Sequence, residues 1–315
     1  MTPASPTQMS AQIKLLARES GFDLVGIARV EPSRYEREYR DWVAAGKHGE
    51  MHYLEKGVEE RMDLRKKFAW AKSVVCVGMA YSQGEPKAQG LPPPQSLGLI
   101  ARYTQGRDYH KVMGGKLKQL EASMRQSLGE LQVRTYCDTG PILERELANL
   151  AGLGWVGKNT LLIHRQHGSY FVLGEMVLDL ELEADLPELN HCGTCRRCAE
   201  ACPTGAIEGG GYSVDARRCI SYLTLEHRGA IAEEFLPAMR EAGYVAGCDI
   251  CQEVCPFNRA HPPAEPGASV EEILAWNEAD WDRSTRGRAF RRAKLHMWQR
   301  NARIVQSSST RRGAP

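Results

Sequence analysis

The sequence predicts a mixed α+β or α/β chain in three parts: an N-terminal α/β region, a cysteine-rich module and a short basic helical C-terminus. Helical and strand-like spacings of apolar residues alternate as far as residue 180, the pattern of a layered α/β core. Eight of the ten cysteines fall between Cys192 and Cys255. Ten of the 41 Lys and Arg lie in residues 283–315, where there is no Asp or Glu. With 315 residues, 42% of them apolar and 25% charged, the chain can bury a sizeable core, which excludes disorder and fibrous repeats. No apolar run approaches the roughly 18 residues of a membrane span. The opening MTPASPTQMS holds no Lys or Arg and leads into no apolar export signal, so a reducing cytoplasm is expected.

Residues 8–20 carry Met9, Ile13, Leu16 and Ala17 at helical spacing, and Gly21 follows as a stop. Asp23–Val30 then reads as a strand. A second strand, SVVCVGMAY at 73–81, is rich in β-branched residues, and beyond it Pro86 and Pro92–Pro94 mark a turn-rich loop. Tyr109–Gly129 returns to helical spacing, Gln132–Cys137 to a strand, and Asp138-Thr139-Gly140 to a turn. Pro141 suits the first position of a helix running to about Ala151. Gly152, Gly154 and Gly157 then serve either a helix stop and turn or a close backbone approach to a ligand. Strands at Thr160–Ile163 and Tyr170–Leu180 complete the region.

The run CGTCRRCAEACP places Cys192, Cys195, Cys198 and Cys202 before Pro203, the C-x2-C-x2-C-x3-C-P spacing of bacterial ferredoxins. A second half follows with Cys219, Cys248, Cys251 and Cys255-Pro256. Three close thiolates wrap one iron–sulfur cube while the fourth reaches the other. The spacing therefore predicts one [4Fe–4S] cluster on Cys192, Cys195, Cys198 and Cys255, and another on Cys202, Cys219, Cys248 and Cys251. Two zinc sites would use the same number of thiols but rarely interleave two Cys-Pro runs. Cys76 and Cys137 stand outside the pattern, and Cys76 reads as an inert core residue.

Two clusters imply single-electron transfer to an acceptor upstream. No G-x-G-x-x-G lies between a strand and a helix and no C-x-x-C-H occurs, which weakens the dinucleotide and c-type haem readings. A corrinoid held through D-x-H-x-x-G is not indicated either, because Met113 stands where Asp108-Tyr109-His110 would require a Gly. The charge asymmetry leaves 31 basic against 39 acidic residues before 283, an arrangement suited to a polyanion or to a merely solvated tail. Within the tail, Phe290 and Trp298 either stack on bases or cover the core. Residues 304–315 read as a frayed end.

The blocks GEMHYLEKGVEERMDLR, ARYTQGRDYHKVM, DTGPILERELANLAGLGWVGKNTLLI and GCDICQEVCPFNRA, with the cysteine runs, make the chain resemble the epoxyqueuosine reductase family from about residue 10 to about 305. These are cobalamin-dependent iron–sulfur enzymes of queuosine synthesis in tRNA. The resemblance implies an N-terminal α/β cobalamin-binding domain, similar to the reductive dehalogenase core, over 1–185; a ferredoxin-like domain with two [4Fe–4S] clusters over 186–262; and a basic segment over 263–315. It implies base-off cobalamin without a protein axial ligand, tRNA with a queuosine-type anticodon as partner, an external one-electron donor such as flavodoxin or ferredoxin, no membrane, and a monomer. A small-molecule corrinoid reductase of the dehalogenase kind, or a non-catalytic electron carrier, are the rival functions.

Reducing an epoxide takes two electrons and a proton for the oxygen that leaves. The resemblance assigns the proton donor to Asp138, whose carboxyl must then be raised from about 3.9 by desolvation; the competing role is a helix cap. Cobalamin contacts implied by family position are Arg61, Tyr103, Asp138, Lys158, Asn159, Ser169 and Ser221. For Arg61 the rival is an ion pair with Glu59 or Glu60, and for Tyr103 a place in the core. Glu144 and Arg145 read as a structural or solvated pair. Arg228 and the basic tail are the candidates for tRNA phosphate.

Overall fold

The computed structural model describes residues 4–81, 97–259 and 266–306, so the turn-rich segment with Pro86 and Pro92–Pro94 and the tail from 307 lie outside the described residues. The chain forms two compact units that interleave in sequence: Met1–Ala45, His52–Ala80 and His110–Thr194 make one, and Gly46–Met51, Tyr81–Tyr109 and Cys195–Pro315 the other.

The first unit is built on a four-stranded sheet and a two-stranded hairpin of Trp155–Val156 with Leu162–Ile163. In chain order the strands are β1 (Leu24–Arg29), β2 (Ser73–Ala80), β3 (Leu97–Ile100), β4 (Val133–Tyr136), β5 (Trp155–Val156), β6 (Leu162–Ile163), β7 (Phe171–Leu178), β8 (Tyr244–Ala246) and β9 (Pro266–Ser269). The first unit's main sheet runs β1-β2-β7-β4, with every neighbouring pair antiparallel. Of the mixed classes, this pairing is the α+β kind, since βαβ crossovers would have made it parallel.

The opening helix, Pro6–Glu19, starts two residues before the expected 8–20, because Ser5 and Gln8 form a reciprocal capping box and Pro6 takes the first turn, where a missing N–H costs nothing. It ends at Ser20, and Gly21 adopts φ 79°. Tyr109–Leu128 is helical as expected, with Met113, Leu117, Leu120 and Met124 buried along one face. Cys76 is fully buried in the core with Val74, Val177 and Ala148.

Other local expectations fail: β6 opens at Leu162 rather than at Thr160, which takes φ 64°. The helix after the Asp138 turn opens at Glu144 rather than Pro141, with Leu143 at the capping position and no side-chain cap. The glycines beyond it serve the turn: a Cβ on Gly154, at φ 154°, would lie 2.2 Å from the Ile163 carbonyl oxygen, so only glycine lets β5 return against β6.

The second unit carries a three-stranded sheet, β8-β3-β9, and a core of Ile100, Val245, Ile273, Phe290, Met297, Trp298 and Ala302. Phe290 and Trp298 therefore cover the core, with rings 5.1 Å apart. Burying a Phe or Met side chain is worth about 1.5–3 kcal/mol, so the basic segment is part of the fold. Ile304–Gln306 belong to the last helix, Leu295–Gln306, instead of fraying, because Val305 is buried in this core. Among the described residues no helix is long and apolar enough to cross a membrane.

Candidate active site

The turn that follows β4 is where the first unit brings its functional groups together. Asp138 adopts φ 62°, a left-handed conformation that few L-residues tolerate and that Asp and Asn accept best. Its backbone N–H donates to Glu144 Oε1 at 2.5 Å. Its carboxyl is about half exposed, and Oδ2 lies 3.2 Å from His110 Nε2 at the start of the long helix. Gly140 completes the turn; a Cβ there would stand 2.4 Å from the Tyr136 ring. Arg61 reaches across to the Gly140 carbonyl oxygen at 3.1 Å and toward that of Tyr53 at 3.5 Å. The ion pair with Glu59 or Glu60 does not form, because Glu59 binds Arg40 and Lys66 instead. Arg61 Nε is buried and meets no acceptor among the described residues, an unmet donor that suits a carbonyl-rich ligand beside the turn.

Since the helix is capped at Leu143, the capping role for Asp138 falls away. Glu144 and Arg145 do not act as a pair either: Glu144 turns to Asp138, and Arg145 donates to the Thr160 carbonyl and hydroxyl oxygens. The acids that burial raises stand behind Asp138. Burial pushes the Glu144 carboxyl up to about 7, with the neighbouring Asp138 charge adding to it, and pushes Glu175 well above the carboxylate range. Both folded values exceed the unfolded one, so the stability these groups contribute is full below about pH 4.5 and declines as pH rises through about 7. Glu175→Gln should therefore gain thermal stability relative to the unmodified protein across that window. Parallel melting-temperature profiles from pH 4.5 to 8 would contradict the raised values.

Sequence reasoning weighed His110 only as an axial ligand and passed over Glu175. The signal for Glu175 was available: an acid inside the apolar strand FVLGEMVL.

Lys158 donates to the Gly193 carbonyl oxygen at 2.7 Å, between Cys192 and Cys195, rather than toward the Asp138 turn. Asn159 is buried and accepts the Leu161 N–H, and Ser169 is buried beside the bridge of His164 with Gly168.

In the second unit, Cys202, Cys219, Cys248 and Cys251 come together. Burial pushes the Cys251 thiol far up, and the neighbouring Cys248, Cys219 and Cys202 push it further. Burial likewise raises Cys219, against N–H groups of Tyr222 and Ser221 that face its sulfur. Ala206 N–H donates to Cys202 Sγ at 3.2 Å. Such N–H donors favour thiolate, the form that ligates metal, so this set suits a cluster. The helix Arg197–Ala201, which carries Cys198, packs against Ile250–Glu253 after Cys248, so the two cysteine runs interleave. The backbone N–H of Ser221 faces the Cys219 sulfur, and Tyr103 is half-buried against the Ile100–Trp298 core with Tyr109 at its edge.

Residues 191–258 match a family model described as a 4Fe–4S double cluster binding domain, so the module carries two iron–sulfur clusters. Residues 61–139 match the model described as Epoxyqueuosine reductase QueG, DUF1730. The curated epoxyqueuosine reductase of Xanthomonas campestris pv. campestris is 40% identical over 310 residues, covering 95% of this chain and 86% of that protein. The chain belongs to the epoxyqueuosine reductase family. As a member of that family of oxidoreductases, it is also similar in structure to an epoxyqueuosine reductase solved with an epoxyqueuosine-modified stem loop of tRNA-Tyr (TM-score 0.85, 26% identity, 97% of this chain and 82% of that one). A Bacillus subtilis epoxyqueuosine reductase whose aspartate-bearing catalytic loop is swung out of the active site matches equally (TM-score 0.85, 26% identity, 98% and 85%). A catabolic reductive dehalogenase shares the fold alone, at 18% identity and TM-score 0.51, with the chain spanning 37% of it.

Proposed function

We propose that this oxidoreductase reduces the epoxide of epoxyqueuosine in the anticodon loop of tRNA to queuosine, with Asp138 supplying the proton to the departing oxygen. The observation that carries this reading is the Asp138 turn: a strained aspartate held by Glu144, next to His110, in a family member with a tRNA-bound relative. An unstacked anticodon base enters a site without the cost of opening a duplex.

Cobalamin fits the unmet Arg61 donor, and Arg61, Tyr103, Lys158, Asn159, Ser169 and Ser221 are the residues assigned to hold it. When bound it supplies a strongly reducing cobalt centre, and the clusters supply the electrons. Asp138 passes the proton to the departing oxygen, and His110, in contact with Oδ2, orients that carboxyl and relays the proton to it. Cys192, Cys195, Cys198 and Cys255 are assigned to one cluster, and Cys202, Cys219, Cys248 and Cys251 to the other. The proximity of the second set, and the N–H groups that face the Cys202 and Cys219 sulfurs, support this. The functional division at 1–185, 186–262 and 263–315 follows the chemistry, whereas the compact units follow packing.

Arg228 is the candidate phosphate contact. It is exposed on a loop whose backbone Arg300 clamps, donating to the carbonyl oxygens of Leu223, His227 and Gly229. Burial pulls Arg300 down to about 10, so it serves the fold. Arg283, Arg286, Arg291 and Arg292 bind Asp280, Asp282 and Glu226, which leaves less of the tail's charge for nucleic acid than the sequence suggests. We place the enzyme in the cytoplasm as a monomer fed by flavodoxin or ferredoxin. The test is an assay of the cobalamin- and cluster-loaded protein, reduced by flavodoxin, on an epoxyqueuosine stem loop. Queuosine formation is expected. An unchanged stem loop alongside dehalogenation of a small organohalide would overturn the reading.

A further inference from the structure

Two acids behind the Asp138 turn have no part in the reaction as written. Glu175 sits in mid-sheet, opposite Cys76 on β2 and Tyr136 on β4, with none of its surface exposed. Neither of its carboxyl oxygens meets an N–H or hydroxyl donor among the described residues. A carboxylate in that position is too poorly solvated to stay ionised and takes up a proton. Glu144 brings its own carboxyl to hydrogen-bonding range of Glu175, and its Oε1 accepts the Asp138 N–H. Two carboxyls in contact hold one proton between them, because two adjacent negative charges repel. The other charged groups facing Glu144 are Asp138 and Arg145, and those facing Glu175 are Glu144 and Asp138.

We propose that Glu144 is a positioning residue: tied to Glu175 through one shared proton, it accepts the Asp138 N–H and holds Asp138 in its left-handed conformation against His110. The inference rests on Asp138 being the proton donor. Its physical basis is the strain of φ 62°, which persists only where neighbouring contacts over-determine it. Removing the shared proton sets two like charges side by side. Glu144 then swings away, the turn relaxes, and the Asp138 carboxyl leaves its place while the tRNA surface is untouched. The signature is a loss in kcat at constant KM, with an alkaline limb that belongs to the carboxyl pair.

Three variants test this at equal iron content and equal circular dichroism. Glu144→Leu, which removes the acceptor, should lower kcat about 10- to 100-fold with KM unchanged, an effect of the size expected for misplacing a reacting group. Glu144→Gln keeps an amide oxygen toward the Asp138 N–H and should recover most of that loss. Glu175→Gln replaces the shared proton by a permanent N–H donor, so the alkaline limb of kcat should vanish or move upward. Infrared spectra give a readout independent of turnover: the carboxylic-acid C=O band present at neutral pH should be lost in Glu175→Gln. A Glu144→Leu enzyme with the original kcat, an unmoved alkaline limb in Glu175→Gln, or no such band at neutral pH would each overturn the proposal. If the unmodified protein acts only on a small organohalide, the tRNA reading fails. The band and the limb, measured on that substrate, then still decide the role of Glu144.

Discussion

Asp138→Asn is expected to lower turnover about a hundred- to ten-thousand-fold, the range for losing a positioned general acid, while iron content, cobalamin binding and stem-loop affinity stay unchanged. The substitution is well isolated. Asn is the other residue that accepts φ near 62°, so the turn keeps its backbone and its bond to Glu144. The side chain also keeps its shape and can still meet His110. What it loses is the ability to pass a proton to oxygen. Single-turnover conversion of the epoxyqueuosine stem loop reads the effect directly, and a rate within about threefold of the unmodified protein would remove Asp138 as the acid.

The largest stability effect is expected at a buried ion pair in the second unit. Arg102, nearly fully buried after β3, donates its backbone N–H to Asp249 Oδ2 at 2.8 Å and sets its guanidinium 3.6 Å from the same oxygen and 3.3 Å from Glu253. Asp249 has no exposed surface and lies between Cys248 and Cys251. Arg102→Met leaves that carboxylate buried without its cation, a change that costs about 3–5 kcal/mol. Asp249→Asn in the same chain removes the stranded charge and should recover at least half of the loss. Urea denaturation of the single and double variants, compared at equal iron content, measures both. Equal losses in the single and the double variant would show that packing by the Arg stem, and not the stranded charge, was responsible.

The elements with strong periodicity were legible in the sequence. Met9, Ile13, Leu16 and Ala17 mark the first helix, and the β-branched run at 73–80 marks the central strand, because both signals act within a few residues. The helix at Glu144 was placed three residues early, since Pro141 obeys the local rule for a helix start while the Asp138 turn needs those residues for itself. Antiparallel pairing of the main sheet was not legible, because strand spacing says nothing about direction once long connections intervene. At the site, family position assigned Asp138 and Arg61, whereas nothing in the sequence linked His110 to Asp138 or Glu175 to Glu144. Their roles depend on groups 28 and 31 residues away, at Asp138 and Glu144, brought near only by the sheet.

The cysteine spacing by itself determined that the chain carries two clusters, since four thiolates at fixed short intervals suit little else. The sequence also determined that residues 283–315 carry ten basic and no acidic side chains. Only the tertiary structure decided what that segment does, because charge is counted along the sequence but neutralised in space: Asp280, Asp282 and Glu226 take up four of its arginines, and Phe290 and Trp298 turn into the core. It likewise decided which acids hold protons. That depends on burial and on the nearest like charge, and both follow from the packing of β7 against the Glu144 helix.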